Sequence, residues 1–229
     1  GWADEARTRP WEEDTIVCMM SVGKGMAALC VWMLIDRGWI DPEAPVALYW
    51  PAFAGGGKES ITVGQLITGK AGLLYLDHAE DGAAYDWDAM VRAIELQEPL
   101  WEPGTKHAYH SATAGYLFGE LVRRVDGRPI DQFLKEEVTD PLRADYGYGT
   151  SGAPDSQVAD IIPNPNSHTF VQSRDRSTKM GRAWRIRPET DRHYNDPRMR
   201  TGLMPGPSLE QASRLIRTPS FRSSMSLAY

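Results

Sequence analysis

The chain has 229 residues, of which 41% are apolar and 24% are charged, and its formal net charge is −6 at pH 7. This length and composition predict one globular domain with a hydrophobic core and argue against a fibrous or disordered protein. The longest apolar run, residues 26–35, is too short to cross a bilayer, so we expect no membrane partner.

Apolar periodicity predicts a chain built mostly from helices. Residues 16–20 form a strand-like run, but few other segments alternate with a two-residue period, so strands are expected to be scarce. Residues 45–51 are a short apolar segment, and Gly55–Gly57 is interpreted as a flexible loop. The predicted helices span residues 22–37, 63–68, 87–97, 109–126, 129–138 and 208–216.

Four residues mark the ends of these helices. Thr62 and Asp86 precede apolar runs as N-caps, because their side-chain oxygens can accept hydrogen bonds from the first free N–H groups. Gly38 and Gly127 follow the last periodic residue of their helices, where glycine adopts the left-handed conformation without strain. The pattern weakens after about Pro154, which predicts a core at residues 1–153 and a divergent Pro/Arg-rich tail at 154–229.

Charge is unevenly distributed between the two parts of the chain. Residues 1–169 hold 13 basic and 26 acidic side chains, whereas residues 170–229 hold 12 basic and 5 acidic ones. A basic arm of this kind could bind nucleic acid or an acidic partner, or it could lie on the acidic body of its own chain. Because the arginines are scattered and carry no nucleic-acid motif, we favour the second interpretation and expect no nucleic-acid partner.

Cysteine and histidine usage predicts neither a metal nor an organic cofactor. Cys18 and Cys30 are the only cysteines, and both fall in apolar surroundings, so buried free thiols are expected. The sequence has no C-x-x-C, no H-E-x-x-H and no glycine-rich phosphate motif. Its first residues, Gly1–Asp4, have neither the basic flank nor the apolar core of a signal peptide, so we expect a cytoplasmic location.

Ser21 and Lys24 form an S-x-x-K motif at the predicted start of the first helix. Side chains three residues apart lie on one helix face, so the lysine amine can reach the serine hydroxyl. A serine becomes a nucleophile when a neighbouring base takes its proton, and a lysine becomes such a base when its surroundings lower its pKa. The alternative is an N-capping Ser21 beside a solvent-facing Lys24, because one such tetrad arises by chance in a chain of this length.

Several motifs follow this tetrad in the same register as in one known superfamily. The chain resembles the serine β-lactamase-like superfamily, with family VIII carboxylesterases and class C β-lactamase homologues as the nearest types. The likeness covers roughly residues 2–150. It rests on residues 14–17, 21–25, 36–38, 41–46, 61–67, 71–73, 101–105, 109–111 and 119–122.

The resemblance implies an α/β fold of the β-lactamase-like (DD-peptidase) type, with mainly its helical part in this chain. It also implies a serine hydrolase that acts on a small ester, with amides as secondary substrates. In that family pattern Ser21 is the acylated nucleophile, Lys24 the base and Tyr109 a proton relay. These three groups would then share one dehydrated cavity. The residues assigned to substrate binding are Ser111, Trp101 and His110.

The resemblance is incomplete at both ends of the chain. Family members are longer, and their K-T-G-like third motif lies on a strand that supplies a second oxyanion donor. The nearest candidates here are Lys179–Gly181 and Arg200–Gly202, and neither lies in a strand-like pattern. Losing one oxyanion donor costs about 3–4 kcal/mol of transition-state stabilisation. The alternatives are therefore a partial domain whose sheet is completed by a second chain, and an inactive module that serves binding or assembly.

Overall fold

The structure is a computed structural model that describes residues 1–80, 83–111, 113–148 and 155–160, together with Asp175 and Ser177. Within these ranges the chain is helical, and its β pairing is limited to isolated bridges such as that between Ile16 and Val158. The α-helices are α1 (Val22–Asp36), α2 (Val46–Tyr49), α3 (Val63–Ile67), α4 (Trp87–Leu96), α5 (Ala114–Asp126), α6 (Ile130–Leu134) and α7 (Asp140–Leu142). Shorter turns of 3₁₀-helix span Pro51–Ala54, Ala83–Tyr85 and Asp155–Gln157, and a π-helical segment spans Lys135–Thr139.

Helix α5 lies at the centre of the core. Its residues 114–122 are buried without interruption, and it packs against α1, α2, α4 and α6. Such complete burial requires small residues where neighbours come close. At Gly119, for example, an added Cβ would lie 2.6 Å from the ring of Trp87. Helix α1 rests on α5 and α6, so the predicted nucleophile is carried by a helix that is anchored on its inner side.

The predicted helix ends are confirmed where local chemistry sets them. Thr62 forms a capping box with Gln65, and the Asp86 carboxylate accepts a 2.9 Å hydrogen bond from the Ala89 N–H. Gly38 and Gly127 have φ values of 72° and 91°, which glycine adopts without the strain that a Cβ would bring.

The strand-like run before the motif is corrected by the structure. Only Ile16 pairs, donating a 2.8 Å hydrogen bond to the Gln157 carbonyl and accepting one of 2.8 Å from the Ala159 N–H. The chain then turns, because Met20 adopts a left-handed conformation with φ of 49°. Residues 155–160 therefore pack against the N-terminal segment that leads into α1, although the sequence pattern assigned them to a separate tail.

The start of α5 is a second correction. The sequence pattern predicted a helix from Tyr109, but the helix begins at Ala114. The intervening segment is instead held by a distant loop, because Thr113 donates a 2.6 Å hydrogen bond to the Leu73 carbonyl and His110 accepts one of 3.0 Å from the Leu73 N–H. Tyr109 therefore lies on a docked loop rather than in the first turn of a helix.

The glycine loop at residues 55–57 is packed rather than flexible. An added Cβ at Gly55 would lie 2.5 Å from the Glu95 carbonyl oxygen, so the loop lies directly against the end of α4. The Lys58 side chain is fully buried, and its ammonium donates to the carbonyls of Gly55, Glu95 and Gln97. Burial lowers the pKa of Lys58 to about 8. No local pattern in the sequence predicts this buried lysine.

One face of α1 is exposed and largely apolar. Its exposed residues recur at three- and four-residue steps and therefore lie on one side of the helix. We call this face the α1 stripe; it consists of Val22, Gly25, Leu29, Trp32 and Asp36. Trp32 and Val22 are 50% and 51% exposed. No helix in the described part of the chain is long and apolar enough to span a membrane.

Three sequence predictions fall outside the described residues. They are the helix at 208–216 and the two candidates for the third motif, Lys179–Gly181 and Arg200–Gly202. Their structure and the position of the arginine-rich tail stay predictions. Both cysteines lie inside the described ranges as free thiols, with Cys30 buried in α1 and Cys18 half-buried.

Candidate active site

Ser21 lies at the junction between the left-handed turn at Met20 and the first turn of α1. It has the N-cap position of the helix, but its side chain makes no capping hydrogen bond. The first N–H groups bond to carbonyls three residues back instead, for example Val22 to Met19 at 3.1 Å and Lys24 to Ser21 at 3.1 Å. The Ser21 hydroxyl is therefore available for another partner.

That partner is the amine predicted from the S-x-x-K motif. Lys24 Nζ donates a 3.2 Å hydrogen bond to Ser21 Oγ. This distance lies within the range over which a base can take a proton directly from a hydroxyl. The capping alternative therefore does not describe Ser21, and Lys24, which is half-buried, points at the hydroxyl.

Tyr109 lies on the other side of the Lys24 amine. The Lys24 Nζ atom is 5.3 Å from the centre of the Tyr109 ring, a distance at which the ring face attracts a cation. Lys24 can take a proton from Ser21 only in its neutral form. Lys24 Nζ thus lies near the two other predicted catalytic side chains, the Ser21 hydroxyl and the Tyr109 ring.

The dehydrated cavity expected around these groups is not formed by the described residues. Ser21 is exposed, and Tyr109 is 59% exposed. Water therefore reaches both oxygens, and the low-dielectric setting that would lower a lysine pKa needs cover from elsewhere. The described chain supplies the three predicted groups and one wall of the candidate site.

Tyr109 is positioned by two loops that pair through their backbones. The N–H groups of Ala108, Gly104 and Leu100 donate to the carbonyls of Gly69, Lys70 and Gly72 at 3.1, 3.1 and 3.0 Å. The loops approach so closely that a Cβ at Gly69 would lie 2.9 Å from the Ala108 carbonyl oxygen. This docking explains why the segment before α5 is not helical.

His110 is held by backbone groups, and its predicted contact with a substrate stays a prediction. Its ring is buried, Nδ1 donates to the Ala108 carbonyl at 2.8 Å, and Nε2 accepts from the Leu73 N–H at 3.0 Å. Both ring nitrogens are therefore occupied by backbone groups. Burial lowers the pKa of His110, which keeps the imidazole neutral. The structure makes His110 the link that holds Tyr109 to the loop at 69–73.

The two other assigned binding residues lie near these loops. Trp101 is half-buried, and its indole N–H lies 3.4 Å from the Lys70 carbonyl oxygen. Ser111 is half-buried, and its N–H bonds to the Tyr109 carbonyl at 3.0 Å. Their contact with a substrate stays a prediction.

Comparison with known proteins decides the family. A family model described as Beta-lactamase matches residues 1–193. The chain belongs to the beta-lactamase family. Its fold is the helical part of the β-lactamase-like α/β fold, because solved penicillin-binding-protein and esterase homologues superpose on most of it.

Esterases are prominent among the relatives of this beta-lactamase-family chain. It is 39% identical to the esterase/beta-lactamase LipL of Mycobacterium tuberculosis over 165 residues, which covers 71% of this chain and 38% of that protein. A solved family VIII carboxylesterase is 41% identical, with a TM-score of 0.68, covering 71% of this chain and 46% of the other. A penicillin-binding-protein homologue from Caulobacter crescentus is 37% identical, with a TM-score of 0.67, covering 73% and 45%. The chain thus spans less than half the length of these relatives.

One residue that contacts the first turn of α1 was not predicted from the sequence. The Tyr148 hydroxyl donates a 2.7 Å hydrogen bond to the Gly23 carbonyl, between Ser21 and Lys24. The available signal was weak, since a tyrosine in a run of small and aromatic residues indicates burial but not its partner.

Proposed function

We propose that this chain carries the nucleophile and base of a serine esterase that works through an acyl-enzyme. The 3.2 Å hydrogen bond from Lys24 Nζ to Ser21 Oγ carries the proposal, because Ser21 is not engaged as a cap. Membership of a family that includes named esterases supports an ester substrate. The expected substrate is a small carboxylic ester, with amides as slower substrates.

The proposed reaction has two halves that use the same groups. Neutral Lys24 takes the Ser21 proton while Ser21 Oγ bonds to the ester carbonyl carbon. The carbon–oxygen bond to the alcohol then breaks, and the departing oxygen receives the proton from Lys24 by way of the Tyr109 hydroxyl. Water attacks the acyl-serine and gives a proton to Lys24, the bond from the acyl carbon to Ser21 Oγ breaks, and Lys24 returns that proton to Ser21 Oγ, which releases the acid and restores the free serine.

The test is labelling of the full 229-residue chain with a fluorophosphonate probe, together with hydrolysis of a chromogenic short-chain ester. We expect labelling of wild type at Ser21, located by peptide mass spectrometry, and at least a hundredfold loss in Ser21→Ala. The control is Ser60→Ala, which removes an exposed serine from the turn before α3 and should label like wild type. Equal turnover by wild type and Ser21→Ala would refute the proposal.

A second candidate is a non-acylating module that serves binding or assembly. The exposure of Ser21 and Tyr109 favours it, because an open site lacks the electrostatic advantage of a closed one. A wild-type chain that melts cooperatively yet never labels would support this candidate over the esterase.

We propose that a second polypeptide chain covers the α1 stripe. Leu29 and Trp32 present apolar surface on a helix whose inner side is already packed, and a helix apolar on all sides is normally buried. Gly25 adds a separate argument, since glycine is unfavourable inside a helix and a Cβ there would meet no atom within 4 Å. Glycine at that position allows close approach by a covering chain.

A further inference from the structure

A phenol from a distant part of the chain holds the first turn of α1. The Tyr148 hydroxyl donates a 2.7 Å hydrogen bond to the carbonyl oxygen of Gly23, from 125 residues further along the sequence. Tyr148 is 3% exposed, so water does not compete for this bond. Burial also raises the pKa of Tyr148 well above that of a free phenol, so the hydroxyl stays a donor throughout the assay range.

This turn needs support because its own geometry is unfavourable. Met20 has a left-handed backbone with φ of 49°, a conformation that is strained for a residue with a side chain. The Ser21 side chain contributes no cap. The nearest upstream anchor is Ile16, which pairs with residues 157–159. The bond from Tyr148 to Gly23 is the matching anchor on the downstream side of Ser21.

We propose that Tyr148 is a positioning residue for the acylation of Ser21. By fixing the Gly23 carbonyl, it sets the relative placement of Ser21 and Lys24, which lie on either side of Gly23 in the same turn. A displacement of about 1 Å between reacting groups can slow a reaction a hundredfold. The expected effect on the labelling rate rests on the proposed esterase function. The expected effect on hydrogen–deuterium exchange rests only on the hydrogen bond from Tyr148 to Gly23.

Tyr146 provides a matched control two residues away. Its ring packs edge-on against that of Tyr148, with 6.4 Å between ring centres. Its hydroxyl oxygen is also buried, but it has no hydrogen-bond partner among the described residues. Tyr146→Phe and Tyr148→Phe therefore remove the same atom from neighbouring rings, and only the second breaks a hydrogen bond.

The experiment measures the rate at which the fluorophosphonate labels Ser21 in the full chain at several probe concentrations, which gives the half-saturating concentration and the maximal rate separately. We expect Tyr148→Phe to lower the maximal rate about tenfold with half-saturation unchanged, and Tyr146→Phe to stay within twofold of wild type. Hydrogen–deuterium exchange is measured in parallel. We expect faster exchange at residues 22–27 in Tyr148→Phe alone, with α5 unchanged.

Any result other than these would contradict the proposed positioning role of Tyr148. Equal rates in all three proteins would show that the bond does not set the reactive geometry. Equal losses in both variants would assign the effect to ring packing instead of to the hydrogen bond. If wild type never labels, the esterase proposal fails separately. Unchanged exchange at residues 22–27 in Tyr148→Phe would then show that the hydrogen bond to Gly23 does not hold this turn. Faster exchange without labelling would show that Tyr148 has a structural role and no positioning role in a reaction.

Discussion

Glu120 is a fully buried carboxylate that joins two helices of the core. It accepts hydrogen bonds from the Trp87 indole at 2.8 Å and from Arg123 and Arg124 at distances of 2.7–2.8 Å. Burial alone would raise the pKa of Glu120, but the hydrogen bonds from Arg123, Trp87 and Arg124 outweigh it and lower the pKa. The negative charge of Glu120 therefore helps to hold α4 against α5.

We expect Glu120→Gln to lower the free energy of unfolding by about 2 kcal/mol at neutral pH, because hydrogen bonds to a charged group are lost. The folded pKa lies below the ordinary value of 4.5, so the carboxylate's contribution is complete above pH 4.5 and disappears as the pH falls through the folded pKa. Urea unfolding should therefore show the difference between wild type and variant shrinking below pH 4.5.

The control for this prediction is Glu136→Gln. The Glu136 carboxylate is also bonded to an arginine, Arg128, but it is 46% exposed. An exposed ion pair contributes little, so we expect a much smaller change than in Glu120→Gln. Equal effects of the two substitutions would contradict the importance of burial at Glu120.

At the scale of elements, two glycines with equal space around them should respond oppositely to alanine. A Cβ at Gly25 or at Gly127 would meet no atom within 4 Å, but Gly127 has φ of 91°. We expect Gly25→Ala to raise the free energy of unfolding by about 0.5–1 kcal/mol, because alanine favours a helix interior. Gly127→Ala should lower it by about 1 kcal/mol through left-handed strain. Thermal unfolding followed by circular dichroism measures both; the same sign for both would contradict this account.

Elements whose ends depend on neighbouring residues could be predicted from the sequence. The caps at Thr62 and Asp86 and the stop at Gly127 act within four residues, so their pattern is visible in the chain itself. The start of α5 could not be predicted, because His110 and Thr113 bond to Leu73 across a loop. Long-range bonds of this kind overrule local helix preference.

The residues of the candidate site also differ in whether local sequence could predict their contacts. The pairing of Ser21 with Lys24 follows from three-residue spacing on a helix, and the sequence therefore predicted it. The proximity of Tyr109 followed only from family resemblance. The tether from Tyr148 and the buried ammonium of Lys58 depend on tertiary contacts between residues far apart in sequence, for which no local pattern exists.

At the scale of the whole molecule, the α1 stripe should govern association. We expect the double variant Leu29→Gln/Trp32→Gln to self-associate less than wild type, because it removes contiguous exposed apolar surface. Its free energy of unfolding should change by less than about 0.5 kcal/mol, since both side chains already face solvent. Light scattering across a concentration series and urea unfolding measure the two effects.

The matched control is Leu48→Gln, which alters an exposed leucine on α2 outside the α1 stripe. It should leave association unchanged. Unfolding of the double variant would contradict the description of the stripe as uncovered surface. A discrete dimer of wild type that the double variant loses would identify a second copy of this chain as the covering partner, in place of a different polypeptide.

The apolar face of α1 also links catalysis to survival in the cell. Chaperones and proteases recognise exposed hydrophobic segments as signs of incomplete folding, and they remove proteins that display them for long. Leu29 and Trp32 would mark each solitary copy for this quality control, and Ser21 lies two to three turns away on the same helix. Copies that escape degradation would thus be those whose α1 stripe had already been covered.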